Sequence, residues 1–218
     1  MNLSAGLALV FDMDGVIVDS MPVHTEAWRL YLQRLNIDCA DLEARMHGRR
    51  NDEIVADIIS NCLTPEEVHQ HGAAKEALYR DLIRPDLERK LVPGVLAFLR
   101  RHSGALLGVA SNAEPANVEF VLEGVQIRNL FKVVVDGMQV KHPKPHPEIY
   151  LRAADELGVL PKNCIVFEDS PAGVSAALQA GARVVGVETH TGLTGVDARI
   201  QNFLDAGLDR WLAEQRPV

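Results

Sequence analysis

Two aspartates one residue apart, Asp12 and Asp14, stand where the apolar run Leu7-Ala8-Leu9-Val10-Phe11 breaks into a turn at Gly15. The run reads as a fully buried strand. Ligand crevices open at the carboxyl ends of parallel strands, and residues i and i+2 project the same way. Both carboxylates are therefore expected to face one small volume. Like charges held that close are costly unless a cation or a shared proton relieves them. The pair implies a metal, a proton-sharing dyad, or both, set against the plain alternative of a solvated turn with incidental acids.

Later strand ends carry further reactive side chains. Ser111-Asn112 precede a helix expected to begin at Pro115, and a helix start offers free N–H groups to an anion. Lys141-His142-Pro143-Lys144-Pro145-His146-Pro147 forms a loop whose alternating prolines restrict any lysine it carries. Glu168-Asp169-Ser170 opens a Gly- and Ala-rich helix. Taken singly, Ser111 reads as a turn residue and Lys144 as a solvated lysine. His142 and His146 read as loop residues without metal-site company.

The elements that must position these groups alternate. Strands are expected at Leu7–Phe11, Leu106–Ala110, Val133–Val135, Ile165–Phe167 and Val184–Val187. Helices are expected at Val95–Arg101, Pro115–Leu122, Pro147–Leu157 and Ala172–Ala180, the last two capped by Gly158 and Gly181. Such alternation predicts an α/β fold with a doubly wound, Rossmann-like parallel sheet. From Pro22 to Lys90 only helical periodicity recurs, through Ala27, Leu30, Tyr31 and Leu35, then Ile54, Val55, Ile58 and Ile59, then Ala77, Leu78 and Leu82. Asp52 and Thr64 are the expected helix starts in this stretch. The predicted organisation is a core from 1–18 plus 91–218, with a small α-helical cap domain, 19–90, inserted after the first strand. Residues 214–218 are expected to fray.

The net charge of −8 disfavours nucleic acid. Cys39, Cys62 and Cys164 are too irregularly spaced for a disulfide framework or a zinc knuckle. No segment approaches a membrane span, so a cytoplasmic protein is expected, with a monomer as the default state.

In chain order, Asp12-Met13-Asp14-Gly15, Ser111, Lys144-Pro145 and Glu168-Asp169 resemble the four signatures of the haloacid dehalogenase superfamily of phosphotransferases, over essentially the whole chain. The resemblance implies that Asp12 is the nucleophile, giving an aspartyl-phosphate. It implies Mg2+ held by Asp12, the backbone carbonyl of Asp14, and Asp169 with help from Glu168. Lys144 would neutralise Asp12 and the phosphoryl group, Ser111 would hydrogen-bond a phosphoryl oxygen, and Asp14 would act as acid and base. Asp14 moves the expectation from haloacids to phosphate esters, and Asn112 is typical of the phosphatase relatives.

The helical insert resembles the cap of the subgroup containing β-phosphoglucomutase and small sugar-phosphate phosphatases. Ser20, His24, Trp28, Arg49, Arg50 and Lys75 are the substrate-binding candidates this implies. Three of them have a bland alternative: Trp28 as core, His24 as a hinge hydrogen bond, Lys75 as a surface charge. Two features depart from the mutase. The cap arginine position falls on Asn51, and Ala113-Glu114-Pro115 replaces a Ser-Lys-Asn run that binds a second phosphate. Glu114 for lysine reverses the local charge by two units, roughly several kcal/mol against a dianion. The expected activity is Mg2+-dependent hydrolysis of a small phosphorylated metabolite, a sugar or polyol phosphate, with a phosphosugar mutase as the alternative. A glycosyltransferase Asp-x-Asp site would leave Ser111, Lys144 and Glu168-Asp169 unexplained. A non-catalytic sugar-phosphate sensor would need no nucleophile.

Overall fold

A computed structural model describes residues 4–46, 49–189 and 192–217. The chain divides into two compact units, one of Met1–Asp19 with Leu91–Val218 and the other of Ser20–Lys90.

The Ser20–Lys90 unit contains α1 (Met21–Arg34), α2 (Leu42–Met46), α3 (Asn51–Ile58) and α4 (Pro65–Ile83), then a 3-10 stretch over Arg84–Lys90. Thr64 starts α4 as expected: its hydroxyl accepts from Glu67 N, and the Glu67 carboxylate accepts from Thr64 N. Asp52 does not start α3. The helix begins at Asn51 behind Arg50, placing Asp52 in a first turn whose partial positive charge suits a carboxylate. The buried face of α1 runs through Thr25, Ala27, Trp28, Tyr31 and Leu32, not through Leu30, and Leu35 is exposed. Trp28 has the largest area to bury and turns the helix toward Met46, Ile54 and Val55. In α4 the buried positions are Gly72, Lys75, Glu76, Tyr79 and Ile83, whereas Ala77 is exposed. Charged side chains occupy that interior because they satisfy one another.

The other unit is built on β1 (Ala8–Phe11), β2 (Leu106–Ala110), β3 (Val133–Val135), β4 (Cys164–Glu168), β5 (Arg183–Val187) and β6 (Ala198–Ile200). They form one sheet of order β3-β2-β1-β4-β5-β6 with every neighbouring pair parallel. Helices α5 (Val95–Arg101), α6 (Pro115–Gly124), α7 (Glu148–Leu157), α8 (Pro171–Ala180) and α9 (Leu208–Glu214) complete it. The chain winds outward from β1 to β3 and then crosses to β4. The topological switch therefore falls between β1 and β4, where such sheets open a crevice.

Strand periodicity assigns the two faces. Ala8, Val10, Val166 and Val184 pack with Ile149, Ala153 and Leu157 of α7 and with Val174 and Ala177 of α8. On the opposite face Phe11 and Phe167 stack with centroids 4.6 Å apart and meet Phe98 and Phe203. Gly158 (φ 72°) and Gly181 (φ 85°) end α7 and α8 in the left-handed conformation.

The edge strand β6 and the helix α9 were not expected. Residues 214–217 are not frayed: Gln215 O accepts from Ser4 Oγ at 3.0 Å, and Arg183 donates to the Gln215 side chain at 2.8 Å and to Arg216 O at 3.2 Å. Val218 lies outside the described residues. Among the described residues, no helix is long and apolar enough to cross a membrane.

Candidate active site

The order β2-β1-β4 brings three carboxyl ends side by side, and the reactive residues follow them. Asp12 is the first residue past β1, its N–H donating to Phe167 O at 3.0 Å. It shares the parity of Ala8 and Val10, so its side chain lies on the α7/α8 side. Lys144 arrives from the loop between β3 and α7. Its ammonium lies 2.9 Å from Asp12 Oδ1 and donates to Glu168 Oε1 at 2.7 Å and to Ala110 O at 3.0 Å. Its backbone N–H donates to Asn112 Oδ1 at 3.2 Å, tying the loop to the end of β2.

Glu168, the last residue of β4, is fully buried and takes five donors. Oε1 accepts from Lys144 and from the Tyr150 hydroxyl at 2.7 Å; Oε2 accepts from Asp169 N, Ser170 N and Ser170 Oγ at 3.0–3.1 Å. The Lys144 ammonium also sits 4.9 Å from the Tyr150 ring centroid, a cation–π distance. Two glycines make room. A Cβ on Gly173 would lie 1.7 Å from Glu168 Oε1, and a Cβ on Gly15, itself at φ 75°, would lie 1.9 Å from Asp169 Oδ2. The turn after Asp14 is pinned by Gly15 N donating to Val18 O at 2.7 Å and by Thr189 Oγ1 donating to Gly15 O at 2.8 Å. Ser111 is buried at the end of β2, where its Oγ accepts from Ala113 N at 3.1 Å.

Carboxylate oxygens of Asp12, Glu168 and Asp169 converge within 4.8 Å of one another, all buried, against one ammonium. Burial above all, with the Glu168 and Asp14 charges, pushes Asp12 up to about 7 despite Lys144. Burial, then Glu168 and Asp12, holds Asp169 well above the carboxylate range. Burial pulls Lys144 down, but Asp12 and Glu168 overcome it and raise the ammonium above its ordinary value. An excess of hard, anionic oxygen ligands fits a divalent cation such as magnesium.

The structure thus brings Asp12, Lys144, Glu168 and Asp169 into contact, with Ser111 and Asn112 beside them and Asp14 in the adjoining turn. The remaining candidates belong to the helical unit. Ser20 is fully buried. The His24 ring stacks on Tyr79 at 3.7 Å. Trp28 lies in the unit's core, with the buried Lys75 ammonium 5.1 Å from its ring centroid. Lys75 pairs with Glu76 and lies 3.2 Å from His24 Nδ1, so it is not a surface charge. Arg49 is shared between Asp57 at 2.9 Å and Glu53 at 3.6 Å, and Arg50 occupies the N-cap of α3. Gly48, which precedes Arg49, lies outside the described residues, as does His47.

Two features escaped the sequence. Tyr150 sits on the apolar face of α7, where an aromatic reads as core and nothing marks its hydroxyl. His142 and His146 do have company: with Glu148 their ligand atoms fall within 4.8 Å of one another, and the spacing of four was the available signal. Replacing Tyr150 with Phe removes one hydrogen bond to a buried charge, about 1.5–3 kcal/mol. The Tyr150→Phe variant should melt measurably lower while losing less than tenfold in rate. A hundredfold loss at unchanged melting temperature would show a direct catalytic role instead.

The haloacid dehalogenase-like hydrolase family matches the chain over residues 7–181. Fructose-1-phosphate phosphatase YqaB of Escherichia coli is 33% identical over 183 residues, covering 82% of this chain and 95% of its own. Beta-phosphoglucomutase of Bacillus subtilis is 29% identical over 214 residues, covering 93% and 92%. The crystal structure of beta-phosphoglucomutase from Clostridium difficile superposes with a TM-score of 0.83 at 28% identity, covering 94% of this chain and 96% of that one.

Proposed function

The chain belongs to the haloacid dehalogenase-like hydrolase family, and from that premise we propose a magnesium-dependent phosphoric monoester hydrolase for a small sugar or polyol phosphate. The observation that carries the proposal is Asp12, first residue past β1, held 2.9 Å from Lys144 at the switch point, where Glu168 and Asp169 converge. Phosphoryl transfer asks mainly for in-line positioning and for neutralised oxygen charge, and this cluster offers both.

An Asp12 carboxylate oxygen attacks phosphorus. The ester P–O bond breaks as the Asp12–phosphoryl bond forms, and Asp14 gives its proton to the leaving alkoxide. Asp14 then takes a proton from water, whose oxygen attacks phosphorus, releasing inorganic phosphate and restoring Asp12. Lys144 favours the ionised form of Asp12 against burial and offsets charge on the phosphoryl oxygens, and the Ser111 hydroxyl donates to one of them. Magnesium held by Asp12, Asp169 and the Asp14 carbonyl would add positive charge against those oxygens. Glu168 is the weakest of the acid ligands, because its five donors already commit it to holding Lys144 and the start of α8.

The sugar- or polyol-phosphate class is supported by relatives that carry such substrates in their names. Selectivity within it is assigned to the helical unit, through Ser20, His24, Trp28, Arg49, Arg50 and Lys75. Water is favoured over a second sugar phosphate as acceptor because Glu114, a negative residue, stands at the N-cap of α6, where its charge opposes a second phosphate. Phosphate release from a panel of monoesters with magnesium tests the proposal, and silence across the panel would refute it. Conversion of β-glucose 1-phosphate plus its bisphosphate to glucose 6-phosphate would replace hydrolysis with mutation.

The charge excess also gives a pH signature. Metal-free native protein keeps a proton on Asp12 that the unfolded chain, at its ordinary 3.8, releases. Metal-free stability should fall as pH rises from about 4 to about 7. Magnesium replaces that proton, so its increment in melting temperature should grow over the same interval. An increment independent of pH would contradict this charge balance.

A further inference from the structure

We propose that His142, His146 and Glu148 form a second metal site, for a divalent transition metal of the zinc, nickel or copper type, on the loop that carries Lys144. His142 Nδ1 lies 2.9 Å from Glu148 Oε2, and His146 Nδ1 lies 3.9 Å from the same oxygen. Donors about 2.0–2.1 Å from a tetrahedral zinc stand about 3.4 Å apart, and the two observed separations bracket that spacing. His146 Nδ1 accepts a hydrogen bond from Glu148 N at 3.3 Å. That nitrogen is therefore unprotonated, and a metal would take over the lone pair that now accepts this long hydrogen bond.

The carboxylate is fixed before any metal arrives. Glu148 accepts from Lys141 N at 2.8 Å and from His142 N at 3.1 Å. Those two N–H donors favour its anionic form and fix its orientation. Pro143, Pro145 and Pro147 alternate with the intervening residues, which lowers the entropy lost when two imidazoles are held in place. The His142 and His146 side chains are 63% and 49% exposed, leaving coordination positions open to water.

Two imidazole nitrogens and one carboxylate are a poor set for magnesium and a good one for late first-row metals. The site is thus chemically distinct from the all-oxygen cluster of Asp12, Glu168 and Asp169. Binding displaces the hydrogen bonds that link Glu148 to His142 and to His146 and fastens both ends of the segment that carries Lys144. A metal that binds only the native state must stabilise it.

The test uses the full-length chain, stripped of metal and then saturated with magnesium to fill the acid cluster, with zinc titrated calorimetrically. One equivalent of zinc should bind and raise the melting temperature, with X-ray absorption showing two imidazole donors. His142→Gln and His146→Gln should each weaken zinc binding at least tenfold. Both positions are exposed, and neither change should alter melting without zinc or basal phosphate release. Failure of wild type to bind zinc, or binding by both variants as tight as wild type, overturns the proposal. So does zinc binding lost in Asp12→Asn but kept in the histidine variants, which would assign the zinc to the acid cluster. Because the readout is binding and melting, failure here is distinguishable from failure of the phosphatase proposal.

Discussion

Asp12→Asn should lower turnover at least hundredfold and leave the fold intact. An amide oxygen does not form the mixed anhydride with phosphorus, so the expected loss is about 2.7 kcal/mol of transition-state stabilisation or more. The side-chain volume is unchanged, and Lys144 keeps Glu168 at 2.7 Å and Ala110 O at 3.0 Å. One of three converging carboxylates disappears, which relieves like-charge repulsion in the metal-free state. The variant should therefore melt at or above the wild-type temperature without magnesium and gain less from it. Turnover above one hundredth of wild type, after excluding deamidation by mass, would contradict a covalent role for Asp12.

Lys144→Met should be severe in a second way, because it damages stability along with rate. The ammonium is buried and partners Asp12 and Glu168 together. Removing one member of a buried ion cluster typically costs about 3–5 kcal/mol, through the charges left uncompensated. The rate should fall at least hundredfold as well, since Asp12 loses a cation that favours its ionised form and the phosphoryl oxygens lose their counter-charge. The stability defect should shrink toward pH 5. Asp12 already tends to hold a proton, and losing Lys144 strengthens that tendency, so protonation removes the unpaired charge. Chemical denaturation at pH 5 and pH 8 would check this. A variant as stable as wild type at pH 8 would mean that Lys144 does not balance the cluster.

The strand ends were the most legible part of the chain. Asp12-Met13-Asp14-Gly15 stands out because a buried strand turns abruptly into charge, and the caps at Gly158 and Gly181 are local backbone chemistry. Lys144 was legible only in company with the other signatures. Its burial depends on Glu168 and Tyr150 arriving from β4 and α7, which no local pattern encodes. Tyr150 itself was invisible, since its ring satisfies the apolar period and its hydroxyl leaves no trace in spacing. Gly173 belongs to the same class: its need for a missing Cβ comes from a Glu168 carboxylate five residues earlier that folds back over the helix start.

The misreadings have similar causes. The α1 face was displaced because Trp28 outweighs Leu30 in buried area. α4 hid Lys75 and Glu76 in an interior that polarity alone would expel. β6 is hard to read because Ala198-Arg199-Ile200, three residues at a sheet edge, is too short a run for its alternation to stand out. His142 and His146 show their spacing of four in the chain itself, but the cluster is complete only where the Glu148 carboxylate folds back to Lys141 N and His142 N.

The central claim is that phosphorus becomes covalently attached to Asp12. Asp14→Asn should slow water attack on that adduct, so mixing the variant with a turned-over phosphate ester and quenching in acid should trap it. Peptide mass spectrometry should then find one phosphoryl group on Asp12. Full single-turnover phosphate release with an unmodified Asp12 peptide at every quench time, or the phosphoryl group on another residue, would contradict the account.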